Sequence, residues 1–307
     1  MSESWTTSGI GQLNASTMQV YIDGTFHDET NAKISVFDHG LLYGDGIFEG
    51  ICVYDGSIFR LEQHLKRMYE SAKTIGLTIP LTVEKFKAAI VETVKRNNIK
   101  DGYIRPIVTR GVGKLGLNPT NCGKPTVIII PQNAERYPLL TAGRKPAKAI
   151  VSSIRRTPSF CLPASAKTLN YLNNVLAKQQ ANYAGVDEAI MLDWRGFVSE
   201  GTGDNLFILR NKALLTPPLH SSVLAGVTRQ VVLEIAEASG MSVEERELTL
   251  HDLYNADEAF FVSTSLEIQP LIEIDGRVIG AGVEGNATKL IREKFNEVKR
   301  TEGTQAQ

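Results

Sequence analysis

The stretch AKTLNYLNN (residues 166–174) places a lysine just ahead of a helical pattern, between SFCLPAS and TLNY. Lys167 therefore stands at a strand or loop end, outside any charged helix face. An amine in such a place can attack a carbonyl or carry a proton where poor solvation or a neighbouring positive charge removes its own proton. A solvated lysine is the plainer alternative. FVSEGTGDNLF ends a strand on Glu200, beside a Gly-Thr-Gly turn that lets a backbone come close to something. That carboxylate could face a heterocyclic nitrogen, keep it protonated and make the ring a better electron sink; otherwise it is a solvated turn glutamate. LAGVTRQVVLEIAEASG puts Gly226, Val227 and Thr228 where a loop becomes a helix, whose first amides lack internal partners and suit a phosphate. Thr228 as an ordinary N-cap is the competing reading. In YIR, Tyr103 and Arg105 project from one face of a strand and could grip a carboxylate with paired hydrogen bonds, or form a surface pair.

Other chemistries fit less well. GVGKLG (111–116) has the glycine spacing of a dinucleotide loop, but LNPTNCGKP follows where a helix should open. The five histidines show no HExxH or paired ligand spacing and no G-x-S-x-G elbow, so no metal is expected. Cys52, Cys122 and Cys161 are an odd, widely spaced set, read as free thiols.

The elements that must position these residues fall into two groups. MQVYIDGTF and ICVYDGSIF read as hairpins turning on Asp-Gly. RLEQHLKRMYESAKTIG and LTVEKFKAAIVETVKRNN carry the three- and four-residue spacing of amphipathic helices, and YIRPIVTRGV and TVIIIPQ return to strand. PQNAERYPLLTAGRKP loses periodicity and reads as a connection. Beyond it, KAIVSSI, EAIMLD, NLFIL and EAFFVST predict strands, and NYLNNVLAKQQANYAG, GVTRQVVLEIAEASG and ATKLIREKFNEVKR predict helices. TEGTQAQ reads as a disordered tail. At 307 residues, 42% hydrophobic and a net charge of -1, the chain suits two domains and offers no global charge for nucleic acid or anionic membrane. No apolar run reaches a membrane span, and MSESWTTSGIGQLNAS lacks the regions of a signal peptide, so a cytoplasmic location is expected.

Taken together and in order, DHGLLYGDGIFEG, IFRLEQHLKRM, YIRPIVTRGVGKLGLNP, AKTLNYLNNVLAKQQANYAGVDEAIMLD, VSEGTGDNLF, TPPLHSSVLAGVTR and VSTSLEIQP resemble the class IV, fold type IV pyridoxal-phosphate enzymes, and within them the branched-chain amino acid aminotransferases. The likeness runs from about VYIDGTF to LIREKFNEV. It implies an α/β (α+β) fold like that of D-amino acid aminotransferase: a smaller N-terminal domain (1–133), a loop (134–145) and a larger cofactor-binding domain (146–307), with the site between them. It also implies a homodimer or higher homo-oligomer and pyridoxal 5'-phosphate as cofactor.

Carried over by position, the resemblance makes Lys167 the Schiff-base lysine and proton shuttle and Glu200 the partner of the pyridine nitrogen. Arg60, Val227, Thr228 and Thr264 match phosphate-binding positions, Tyr171 the tyrosine near the cofactor's 3-oxygen, and Leu224 the residue under its ring. Tyr43, Phe48, Tyr103, Arg105 and Ser265 match the substrate pocket, some reaching the partner subunit's site. The implied reaction moves an amino group between L-leucine, isoleucine or valine and 2-oxoglutarate. D-amino acid or R-amine aminotransferases and aminodeoxychorismate lyase are the alternatives with the same cofactor; YIR resembles the branched-chain group more than theirs. A non-catalytic nucleotide-binding protein would need neither Lys167 nor Glu200. Two departures bear on side-chain preference: Cys52 stands where many relatives carry arginine, and VSTSLE puts Ser263, Ser265 and Leu266 where Gly, Ala and Ala are common.

Overall fold

The computed structural model describes residues 17–137, 140 and 145–306. The N-terminal stretch up to residue 16 and part of the expected connection, 138–139 and 141–144, lie outside the described residues.

Two Asp-Gly pairs start the first sheet. Asp23-Gly24 and Asp55-Gly56 all take positive φ (49°, 99°, 47° and 73°), the conformation that lets a two-residue turn follow the strand twist. They join β1 (Gln19–Ile22) to β2 (Thr25–Asp28), and β4 (Ile51–Tyr54) to β5 (Ser57–Ile58). With β3 (Gly46–Phe48), β6 (Gly102–Thr109) and β7 (Thr126–Asn133), these strands form a sheet ordered β5-β4-β6-β7-β1-β2, with β3 also paired to β6. A short helix, α1 (His39–Tyr43), precedes β3. Helix α2 (Leu61–Thr74) turns Leu61, Leu65, Met68 and Ala72 inward, and α3 (Val83–Arg96) turns in Phe86, Ile90 and Val94. These apolar stripes cover one face of the sheet and close the first core.

The second sheet is ordered β10-β9-β8-β15-β14-β11-β12-β13, with β16 on β15. Its strands are β8 (Ala147–Val151), β9 (Glu188–Leu192), β10 (Val198–Glu200), β11 (Asn205–Arg210), β12 (Ala213–Thr216), β13 (Ser242–Glu245), β14 (Glu258–Ser263), β15 (Glu267–Ile274) and β16 (Arg277–Val278). The β15-β8-β9 run is parallel, with α4 (Leu172–Ala184) crossing between β8 and β9. Helix α4 opens two residues later than its pattern predicts. Helices α5 (Val227–Ala238) and α7 (Asn286–Thr301) pack Val231, Val232, Ile235, Ile291 and Phe295 against Phe207 and Phe260, while the short α6 (Leu250–Tyr254) covers the other face. Phe59, from the end of β5, joins this second core at 5.6 Å from Phe295, so the two units share apolar contact. The result is the two-domain α/β fold.

The GVGKLG segment behaves as the turn residues after it require. Gly111 and Gly116 take positive φ, Gly113 bridges to Cys122, and no helix opens on the loop.

The C-terminal tail corrects an expectation. Thr304–Gln305 form β17, antiparallel to β5, and Ala306 is fully buried in the first core with its amide on Gly56 O (3.1 Å). Gly303 permits this approach, since a Cβ there would lie 2.2 Å from Ser57 Oγ. Polar composition reads as disorder, but an edge strand needs only its backbone groups. The last helix of the second unit is thereby tied to the first sheet. Truncation after Glu302 removes the strand pairing and the Ala306 burial, so we expect a loss of about 2 kcal/mol in chemical denaturation.

Candidate active site

Backbone hydrogen bonds fix Lys167. Its carbonyl accepts from Phe48 N (3.0 Å) and its amide donates to Ser71 Oγ (3.0 Å); Leu169 N donates to Gly46 O (2.9 Å). The 166–169 strip thus lies along β3 and against α2, although both are far away in sequence. The side chain enters a cavity of about 510 Å³. There Nζ donates to Tyr171 Oη (2.9 Å) and sits 4.5 Å from the Phe48 ring centre. Phe48 and Tyr171 meet edge to face at 5.0 Å, so that among the described residues the amine has one hydrogen-bond partner and two aromatic rings.

Glu200 ends β10, buried. Its Oε1 pairs with Arg156 (2.9 Å), and its Oε2 accepts from Asn205 Nδ2 and Leu224 N (3.0 Å each). Burial pushes its pKa up, and Arg156 opposes that push. Arg156 is itself held by Asn174 Oδ1 (2.9 Å). Glu200 does not itself line the cavity; two of its partners, Asn205 and Leu224, do.

The anion end is built at the start of α5. Gly226 occupies the N-cap position without any side-chain cap, and Thr228 lies within the first turn, so the expected N-cap role of Thr228 is not what forms. The first amides of α5 are left for another acceptor. A Cβ on Gly226 would fall 2.0 Å from Asn205 Oδ1, so only glycine lets the loop come this close. Val227, Thr228, Thr264, Ser265 and Leu224 all line this cavity. Cys52 lies beneath the Thr264 turn, its Sγ 3.1 Å from Thr264 O.

Arg60 is not in the cavity. It takes a left-handed conformation (φ 49°) ahead of α2 and pairs with Glu234 (2.9 Å) and Glu302, so it joins α5 and the end of α7 to the first unit. Arg67, two turns further along α2, lines the cavity instead. Its Nε and Nη2 donate to the two oxygens of Glu49 (2.7 and 2.6 Å), and Nη1 to Ala225 O (2.8 Å). His64 Nδ1 lies 2.8 Å from Glu49 Oε2. Burial alone would raise Glu49, but Arg67 and His64 outweigh it and hold the carboxylate well below its ordinary range. Burial pushes His64 down.

Another part of the cavity lining is aromatic and basic. Arg105 Nε and Nη2 both donate to Tyr103 Oη (3.1 and 2.6 Å), with the guanidinium 4.7 Å from the Phe48 ring. Tyr103 stacks on Tyr137 at 4.7 Å. Burial is the main reason the Tyr103 phenol is raised. Tyr43 does not line its own cavity: its Oη accepts from Gly116 N (2.9 Å), and the ring is 37% exposed. Sequence reasoning missed Arg67, Glu49, His64, Arg156, Asn205 and Tyr137. One signal was available for Arg67: it recurs seven residues after Arg60 and so shares its helix face.

Residues 46–274 match the amino-transferase class IV family. A Methanocaldococcus jannaschii protein provisionally named a branched-chain-amino-acid aminotransferase is 54% identical, covering 92% of this chain and 96% of its own. A D-alanine aminotransferase of Staphylococcus haemolyticus is 37% identical, covering 91% and 96%. Among solved structures, a branched-chain aminotransferase of Thermoproteus uzoniensis with norvaline superposes at a TM-score of 0.86 with 40% identity, covering 92% of this chain and 95% of that one. A branched-chain amino acid aminotransferase of Thermobaculum terrenum in its PLP form gives a TM-score of 0.84 and 30% identity, covering 93% and 94%. By the family match and the 54% identity together, the chain belongs to the class IV aminotransferases.

Proposed function

We propose that the chain is a branched-chain amino acid aminotransferase that uses pyridoxal 5'-phosphate to move the amino group of L-leucine, isoleucine or valine to 2-oxoglutarate. One observation carries the reading: a single cavity holds a lysine amine, an anion end at an uncapped helix start, and a wall bonded to a buried carboxylate. The relatives named as branched-chain enzymes direct it to these substrates. The 37% identity to a D-alanine aminotransferase keeps D-amino acids as the second reading.

The residues fit this cofactor. Arg67, the amides of Val227 and Thr228, and Thr264 would hold its phosphate; Leu224 would lie under its ring and Glu200 would face the ring nitrogen. Bound there, pyridoxal 5'-phosphate would supply an aldehyde that condenses with amines and a ring that withdraws electrons. Glu200 would keep the ring nitrogen protonated, its negative charge held in place by Arg156 and two N–H donors. Lys167 would take the proton from the substrate Cα and return it, with Tyr171 steadying the amine between transfers. Arg105 and Tyr103 would meet a γ-carboxylate, while Phe48 and Tyr137 offer the apolar surface for an aliphatic side chain. One pocket would thus serve both substrates.

Tyr43 would serve a second copy. Leu41 on α1, with Val36, Phe37, Leu115 and Leu117 on loops, is part of a 50–82% exposed set, an apolar face that suits a homodimer. A charge at Leu117 (L117E) should shift the protein toward monomer in sedimentation.

Adding L-leucine without any oxo acid should convert the cofactor's visible band to the pyridoxamine band. A band that responds to D-alanine and ignores L-leucine would favour the second reading, and no band after pyridoxal phosphate is added would end both. Lys167→Ala should lower turnover by about 10²–10⁴-fold. Arg67→Ala should weaken cofactor binding by about 10–100-fold, the worth of a hydrogen bond to a charged group. Arg60→Ala should leave that affinity close to the parent's and lower thermal stability instead; the reverse pattern would restore Arg60 to the phosphate site.

A further inference from the structure

The hairpin that joins β14 to β15 brings Thr264, Ser265 and Leu266 to the cavity. It closes on Glu267, which pairs in register with Ser263 and is 1% exposed. Glu267 takes φ 55°, the left-handed region where glycine is the default and a Cβ crowds the following carbonyl. Asp23, Asp55 and Asn98 also adopt this region, but their short polar side chains can bond to nearby backbone. Glutamate is too long for that local aid, so its conformation has to be imposed by the groups around it.

Lys299, in the last turn of α7, supplies the hold. Its Nζ donates to Glu267 Oε2 (2.9 Å) and Oε1 (3.2 Å), and the two side chains are 18% and 2% exposed. The same ammonium lies 5.0 Å from the ring centre of Tyr54 on β4. Two residues earlier on that strand, Cys52 Sγ donates to Thr264 O (3.1 Å). Within the turn, Leu266 N donates to Ser263 Oγ (3.2 Å). The turn is thus gripped by β4 in its middle and by α7 at its exit. Neither Glu267 nor Lys299 lines the cavity, and the reaction described above uses neither. A buried ion pair adds little net stability, because desolvation offsets most of the attraction, yet removing one partner is costly. What this pair does fix is a backbone angle next to three cavity residues.

We propose that Glu267 and Lys299 are positioning residues for the anion end of the cavity: their ion pair keeps residue 267 in its left-handed conformation and thereby keeps Thr264 where it meets the cofactor phosphate. The proposal rests on the cofactor reading above. Strand β15 is fixed on both sides by β14 and β8. A change of φ at 267 therefore moves the turn before it, not the strand after it.

Glycine separates the backbone angle from the ion pair, since it takes φ near 55° without strain. The experiment compares the parent with Lys299→Met, Glu267→Ala and Glu267→Gly, all freed of cofactor. It measures the thermal midpoint and the dissociation constants for pyridoxal 5'-phosphate and for pyridoxal, which lacks the phosphate. Lys299→Met and Glu267→Ala should bind pyridoxal phosphate about tenfold more weakly than the parent, with pyridoxal affinity unchanged. Glu267→Gly should stay within about threefold of the parent for pyridoxal phosphate, even though its thermal midpoint falls because glycine loosens the unfolded chain.

Equal weakening of both ligands in Lys299→Met and Glu267→Ala would overturn the proposal, as would pyridoxal phosphate affinities like the parent's. Glu267→Gly binding as weakly as Glu267→Ala would overturn it too, because the backbone angle would then not be what the pair protects. In each of these cases a parent that prefers pyridoxal phosphate to pyridoxal leaves the cofactor reading standing. A parent that binds neither would overturn that reading and the positioning role together.

Discussion

The site depends on a short strip of backbone, 166–169, laid along β3 and against α2. Three hydrogen bonds, from Phe48 N, to Ser71 Oγ and between Leu169 N and Gly46 O, fix where the Lys167 amine emerges. Lysine loses more side-chain freedom than most residues when it is held in one place, so its base must be rigid for the tip to be accurate. These bonds also join the two units, because the strip belongs to the second and its partners to the first. The position of the amine and the relative placement of the domains are thus one constraint. Phe59 in the second core, Arg60 between α5 and α7, and the β17 strand on β5 act on the same seam from its far side.

Three of the charges at the cavity are paired with fixed partners. Arg67 is forked onto Glu49, Glu200 is bound by Arg156, and Glu188 by Lys178. An isolated ion in such surroundings would cost several kcal/mol, and a pair costs far less. The pairing also orients: a guanidinium gripped at Nε and Nη2 keeps its plane, so its remaining surface meets the cavity at a set angle. These three ions are therefore prepared before any ligand arrives, and little reorganisation of them accompanies binding.

Much of this was legible in the chain. Asp-Gly pairs located the hairpins, apolar spacing located α2, α3, α5 and α7, and the motifs around Lys167, Glu200 and Val227 marked the residues that one cavity brings together or binds to its wall. Arg60 against Arg67 shows where legibility ended. By spacing alone both fall on one helical stripe, and local pattern cannot say that Arg60 stays outside α2 in a left-handed turn; Glu49, eighteen residues before Arg67 in the chain, fixes Arg67 by offering a buried fork. Arg156 and Tyr137 escaped for the same reason, since each is defined by a partner distant in sequence; Asn205 lies only five residues after Glu200, inside the same motif, and its bond to that carboxylate depends on how the turn between them folds. The tail escaped differently. TEGTQAQ has no apolar pattern because β17 is held by main-chain groups and one alanine, and these leave no trace in side-chain composition.

The uncapped start of α5 shows how a local defect becomes useful. Serine, threonine, asparagine or aspartate at position 226 would satisfy an orphan amide and stabilise the helix over glycine by roughly a few tenths of a kcal/mol. Glycine forgoes that, and Asn205 Oδ1 fills the space where a side chain would begin. Asn205 uses its amide nitrogen on Glu200 and on Leu224 O, so the same residue that excludes a cap also tethers the buried carboxylate. Any side chain at 226 would have to displace Asn205, and Glu200 would lose a donor with it. The anion end and the carboxylate end of the cavity are therefore coupled through one asparagine, and a change that repaired the helix would loosen the site at both ends.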